Sequence, residues 1–137
     1  MTDANDDLWP ADLVVEPAQK APLIILSEQA EKLGKKTANL VEAEVTAYPD
    51  NQGGLRIRFT LKAPALNGYE YALFSIIQPV DLYPVSFSDS DEDFWDDNNL
   101  KNEQEFKRYL EKTFKADRTV RIINNLIAQS KLSPSTF

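Results

Sequence analysis

The sequence has no cysteine and no histidine in 137 residues. The first absence excludes disulfides, thiolate metal sites and thiol nucleophiles. The second removes the commonest general base, the Ser-His-Asp and Cys-His nucleophile systems, and the commonest zinc ligand. Glycine is scarce as well. The four glycines, at positions 34, 53, 54 and 68, fit neither the GxGxxG nor the GxxxxGK[ST] spacing that cradles phosphate. Any catalysis would fall to carboxylates, Lys, Tyr, Ser or Thr. The expectation is a chain that is not an enzyme and uses no cofactor.

Long apolar runs are missing too. None approaches the ~20 residues needed to span a bilayer. Residues 1–20 begin acidic and lack the basic and apolar regions of a secretory signal. A cytoplasmic location without membrane association is the corresponding expectation.

What is present is an ordinary globular composition, 42% hydrophobic and 27% charged, in a length that suits one domain. The net charge of −7 is unevenly spread. Asp3, Asp6, Asp7, Asp12 and Glu16 make the first 17 residues acidic, and Asp89, Asp91, Glu92, Asp93, Asp96 and Asp97 form a second acidic run. The rest of the chain is mildly basic. This balance disfavours direct nucleic-acid or anionic-membrane binding and suits a protein partner with a basic surface.

Residues 1–21 read as a flexible acidic arm interrupted by Pro10 and Pro17, and residues 22–137 as a single α+β domain. Within the arm, Leu8, Trp9, Leu13, Val14 and Val15 either dock on the domain or form a short motif for a partner. A helix is expected over Pro22–Asn39, with Pro22 at its first position or Ser27 capping a shorter one. Leu26, Ala30, Leu33 and Thr37 share one face of it. Gly34 implies close packing or an early end.

Strands follow. Val41–Tyr48 and Leu55–Lys62 alternate strictly, and the Pro49–Gly54 connection joins them into an antiparallel hairpin. Glu42 and Glu44 should face Arg56, Arg58 or Lys62. In Tyr69–Gln78, Tyr71, Leu73 and Ile77 fall on one face by period two, and Ala72, Phe74 and Ile76 on the other. A strand apolar on both faces calls for cover outside, and a homodimer is one way to supply it. Leu82–Ser88 reads as an edge strand because Pro84 cannot donate to a ladder.

Two helices complete the chain. Asn102 and Glu105 resemble a capping box before the stripe Phe106, Tyr109, Leu110, Thr113 and Phe114. Asp117 should cap the last helix, whose stripe is Val120, Ile123, Leu126, Ile127 and Ser130. The predicted fold class is α+β: an N-terminal helix, a four-stranded antiparallel meander, and two C-terminal helices packed on one sheet face.

The candidate binding stretch lies between sheet and helices. Asp89, Asp91 and Asp93 have the i, i+2, i+4 spacing of an EF-hand, but Phe94 replaces the turn glycine and Leu100 the bidentate Glu. No metal site is therefore assigned. Asp89, Asp91, Glu92, Asp93, Phe94, Trp95, Asp96 and Asp97 remain either a charged connector or an acidic–aromatic docking surface. Arg56, Arg58 and Lys62 form a second candidate, an anion or peptide face on the polar side of the sheet. The functional expectation is a non-catalytic interaction module, an adaptor, inhibitor or regulatory or immunity-type subunit. The alternatives are a small-ligand-binding domain with a cavity between sheet and helices, and a carboxylate-dependent metal hydrolase.

Overall fold

The alternating segments form the centre of the molecule. A computed structural model describes residues 7–13, 19–51, 53–88 and 100–131. The element order is α1 (Pro22–Lys36), β1 (Glu42–Pro49), β2 (Leu55–Ala63), a 3-10 turn (Pro64–Leu66), β3 (Tyr69–Gln78), β4 (Ser86–Ser88), α2 (Glu103–Phe114) and α3 (Asp117–Lys131). The strands form one antiparallel sheet in the order β1-β2-β3-β4, the predicted meander. The α+β expectation holds in order and class.

The apolar face of the sheet carries the core. Ile57, Phe59 and Leu61 of β2 are buried there with Phe74, Ile76 and Phe87. Phe59 stacks on Phe74 at 5.1 Å between ring centroids, and Phe74 stacks on Phe87 at 4.8 Å, so one aromatic row crosses three strands. Phe114 of α2 tilts onto Phe59 and Phe74, and Tyr109 onto Phe87. Such pairs contribute roughly 0.5–1.5 kcal/mol each beyond area burial. The α2 stripe read from the sequence therefore lands on the sheet as expected.

The β3 strand corrects the sequence reading. Phe59 pairs with Phe74, but Thr60 pairs with Ala72, so Leu73 is an extra residue in a β-bulge. A bulge shifts the phase of everything beyond it. Tyr71 pairs with the core-facing Leu61 before it, and Phe74 and Ile76 pair with Phe59 and Ile57 after it. These β3 side chains thus share the core face that strict alternation splits in two. Ala72, Ser75 and Ile77 fall on the opposite face, where Ser75 is buried and Ala72 and Ile77 are half-buried, so a change of phase accounts for much of the double apolarity.

Helix α1 is shorter than predicted. It ends at Lys36, with Thr37 as C-cap and Ala38 and Asn39 at φ 52° and 64°. Asn39 N–H donates to Gly34 O at 2.8 Å and Ala38 N–H to Lys35 O at 3.4 Å, the paired bonds of a Schellman ending. A Cβ on Gly34 would lie 3.1 Å from Asn39 Oδ1, so the helix ends early and also packs closely there. Ser27 caps nothing; its hydroxyl donates to Leu23 O. The N-terminus is instead satisfied from a distance, by Gln78 Oε1 accepting from Leu23 N–H at 3.0 Å.

The other ends follow local chemistry. Asn102 Oδ1 accepts from Glu105 N–H at 2.9 Å, as a cap should. Glu105 Oε1 reaches one residue further back than in a capping box, accepting from Lys101 N–H at 2.9 Å. Asp117 is the first residue of α3 rather than its cap. The buried stripe of α3 starts at Thr119, and Val120 is 43% exposed. β4 (Ser86–Ser88) starts later than the predicted Leu82, where Pro79–Leu82 forms a turn with Leu82 N–H bonded to Pro79 O. Val85 and Leu100 then exchange both backbone hydrogen bonds, at 2.9 and 3.0 Å.

A lysine-rimmed cleft over the sheet

Helices α1 and α2 both begin at one junction. Lys20 N–H donates to Glu103 Oε1 at 2.8 Å, and Glu103 N–H donates to Gln19 Oε1 at 3.1 Å. Tyr83 Oη donates to Lys20 O at 2.8 Å. Glu103 also pairs with Lys107 Nζ at 2.8 Å. Lys107, and then the Lys20 N–H, hold the Glu103 carboxyl below its usual range. Burial, with the charge of Glu103 adding to it, pushes the Tyr83 phenol up to about 12. The segment entering α1 is thus pinned against the start of α2.

Beyond the junction the two helices flank a cleft of about 660 Å³ over the core face of the sheet. That volume lies within the roughly 300–1,000 Å³ range of small-molecule sites. Phe59, Leu61 and the bulged Leu73 form the floor. They are buried, whereas Leu33, Phe114 and Ile123 in the walls are half-buried. The bulge at Leu73 matters here because it turns one more apolar side chain toward the cleft.

The rim is cationic. Lys20, Lys32, Lys36, Lys107 and Lys115 line the cleft, against Glu28 and Glu111. Lys20 pairs with Glu28 at 3.1 Å and Lys115 with Glu111 at 2.9 Å. Lys32 and Lys36, one turn apart on α1, have no ion-pair partner among the described residues. The cleft can therefore bury an apolar body and meet an anion at its edge.

The residues singled out in the sequence fall elsewhere. Asp89, Asp91, Glu92, Asp93, Phe94, Trp95, Asp96 and Asp97 all lie outside the described residues. So do Asp3, Asp6, Val14, Val15, Glu16 and Pro17 of the arm and Pro134 after α3. Of the described arm, Leu8, Trp9 and Leu13 are 90%, 74% and 65% exposed. In this structure they stand undocked.

Arg56, Arg58 and Lys62 do share the polar face of β2. Lys62 stands between Glu44 at 3.2 Å and Glu70 at 3.5 Å. The Glu44 hydrogen bond is the main cause of the raised Lys62 pKa. Arg56 pairs with Asp50 at 3.4 Å. In register Glu42 faces Lys62, Thr46 faces Arg58 and Tyr48 faces Arg56. Lys62 is thus matched by carboxylates of the neighbouring strands and Arg56 by one in the hairpin turn. Among the described residues, no group of three or more carboxylates comes together as a metal site would require. No helix among them is long and apolar enough to cross a membrane.

A cavity between sheet and helices was one of the alternatives expected from the sequence, but none of its lining residues was named as a site. Its signal was faint: Lys32 and Lys36 bracket Leu33, and Lys107 and Lys115 bracket Leu110 and Phe114. Lysines beside an apolar stripe are also what any solvated amphipathic helix shows. No protein-family model matches the chain, no curated protein matches it, and no solved structure matches it.

Proposed function

We propose that the protein works by binding and not by catalysis, and that the cleft between α1 and α2 takes an amphipathic anion. The occupant is a small molecule with an acyl or flat apolar body and one carboxylate-like head. The carrying observation is the combination of a cleft of about 660 Å³ with an apolar floor and two rim lysines that have no ion-pair partner among the described residues. The body lies on Leu33, Phe114 and Ile123, and the head meets Lys32 and Lys36. Each fully buried methylene contributes roughly 0.8 kcal/mol, while an exposed lysine contact contributes about 0–1 kcal/mol. The body therefore supplies most of the affinity, and the lysines select the head.

Calorimetric titration tests this with dodecanoate and dodecanol as matched probes. Dodecanoate should bind more tightly than dodecanol, and Lys32→Glu with Lys36→Glu should remove the difference. Equal affinity for both probes in the native chain, or no binding of either, refutes the reading.

A second reading keeps the protein-interaction module, and one observation favours it. Leu8, Trp9 and Leu13 are exposed beside Asp7 and Asp12. Exposed aromatic and aliphatic anchors among acids are the composition of a short docking motif for a basic partner. The run Asp89–Asp97 has the same chemistry in sequence. Loss of a partner on Trp9→Ala, with the fold intact, is the expected result for this reading; retention removes the motif.

A further inference from the structure

We propose that the segment Asp7–Leu13 of this chain is itself an occupant of the lysine-rimmed cleft, docking there in cis in exchange with the exposed state seen in the structure. The inference rests on the cleft being a site for amphipathic anions, and it names one such partner.

Four observations carry it. The first is chemical complementarity. The segment offers Leu8, Trp9 and Leu13 as apolar groups and Asp7 and Asp12 as acids. The cleft offers apolar walls and, in Lys32 and Lys36, cations without an ion-pair partner among the described residues. The second is exposure. Leu8 and Trp9 are among the most exposed large apolar side chains of the described chain, at 90% and 74%. Burying them removes apolar surface from water, which favours docking.

The third is attachment. The arm enters the domain at Lys20, which is itself a lining residue, and that root is held by Tyr83 and Glu103. The fourth is reach. The seven peptide steps from Leu13 to Lys20 span at most ~25 Å. The 15-residue α1 is ~22 Å long at 1.5 Å per residue. Leu13 can therefore reach any point along that wall. Tethering gives an effective concentration in the millimolar range. A weak intrinsic affinity is then enough for substantial occupancy, and a small ligand must displace the arm to enter.

The chain's lack of cysteine allows a clean test. A nitroxide label at Ala11→Cys in the full chain should abolish the amide signals of Leu33, Lys36 and Lys115 at low salt. Lys32→Glu with Lys36→Glu, or high salt, should restore them. Saturating dodecanoate should restore them as well. Intact signals in the labelled chain overturn the inference. So does broadening that persists in the double variant, or broadening that appears on unlabelled-spin copies mixed with labelled ones, which would place the arm in a second molecule. Dodecanoate binding is read in the same samples. Binding with no broadening leaves the cleft reading standing and removes only the arm; failure of both removes both.

Discussion

The hydroxyl of Tyr83 donates to the carbonyl of Lys20 at 2.8 Å, across 63 positions of sequence. This bond fastens the root of the N-terminal arm beneath the start of α2. Tyr83→Phe keeps the ring against Phe106 and leaves the carbonyl without its donor. The expected loss is about 1 kcal/mol in urea unfolding. The pH dependence has a definite sign. Tyr83 ionises near 10 when unfolded and at about 12 in the fold. Its contribution is complete below pH 10 and is lost as pH rises toward 12. Native protein should therefore lose stability more steeply than Tyr83→Phe across that window. Parallel curves would show that the phenol is not held by its surroundings.

Gln78 closes a different gap. Its Oε1 accepts from Leu23 N–H at the start of α1, where Ala21 offers no side-chain cap. Gln78 is buried, so the bond is shielded from water. Gln78→Ala should cost about 1–2 kcal/mol. Hydrogen exchange at Leu23 should speed up by more than the global change in stability accounts for. An unchanged Leu23 rate would mean that the cap is not formed in solution.

Ala38 points to a gain. It sits at φ 52° just past α1, where a Cβ is unfavourable. Glycine fits this conformation without strain. Ala38→Gly should raise stability by up to about 1 kcal/mol in thermal or urea unfolding. A loss would show that the helix ends in another conformation.

Much of the fold was legible because its signals were local. Val41–Tyr48 and Leu55–Lys62 each alternate strictly, and the two runs pair as an antiparallel hairpin. Asn102 caps α2 where its spacing to Glu105 places it. Most of the failures depended on a partner outside the element's own periodic pattern. Leu73 is displaced from the ladder by pairing with β2, and period two cannot show an inserted residue. Gln78 is 55 residues from the amide it caps. Thr119 takes the buried place assigned to Val120, with its hydroxyl donating to Thr113 O at the end of α2. The cleft was least legible of all. Its lining comes from α1, β2, β3, α2 and α3, and it takes the bulge, the shared root of α1 and α2 and the packing of Phe114 on the sheet to bring these together.

The central claim is that the cleft between α1 and α2 binds an amphipathic anion. The most direct test is to titrate isotope-labelled full chain with dodecanoate and map the shifted signals. The account predicts saturable shifts at Leu33, Phe114 and Ile123, with Lys32 and Lys36 following, and their loss in the Lys32→Glu, Lys36→Glu variant. Shifts confined to other surfaces, or identical shifts in that variant, would contradict it.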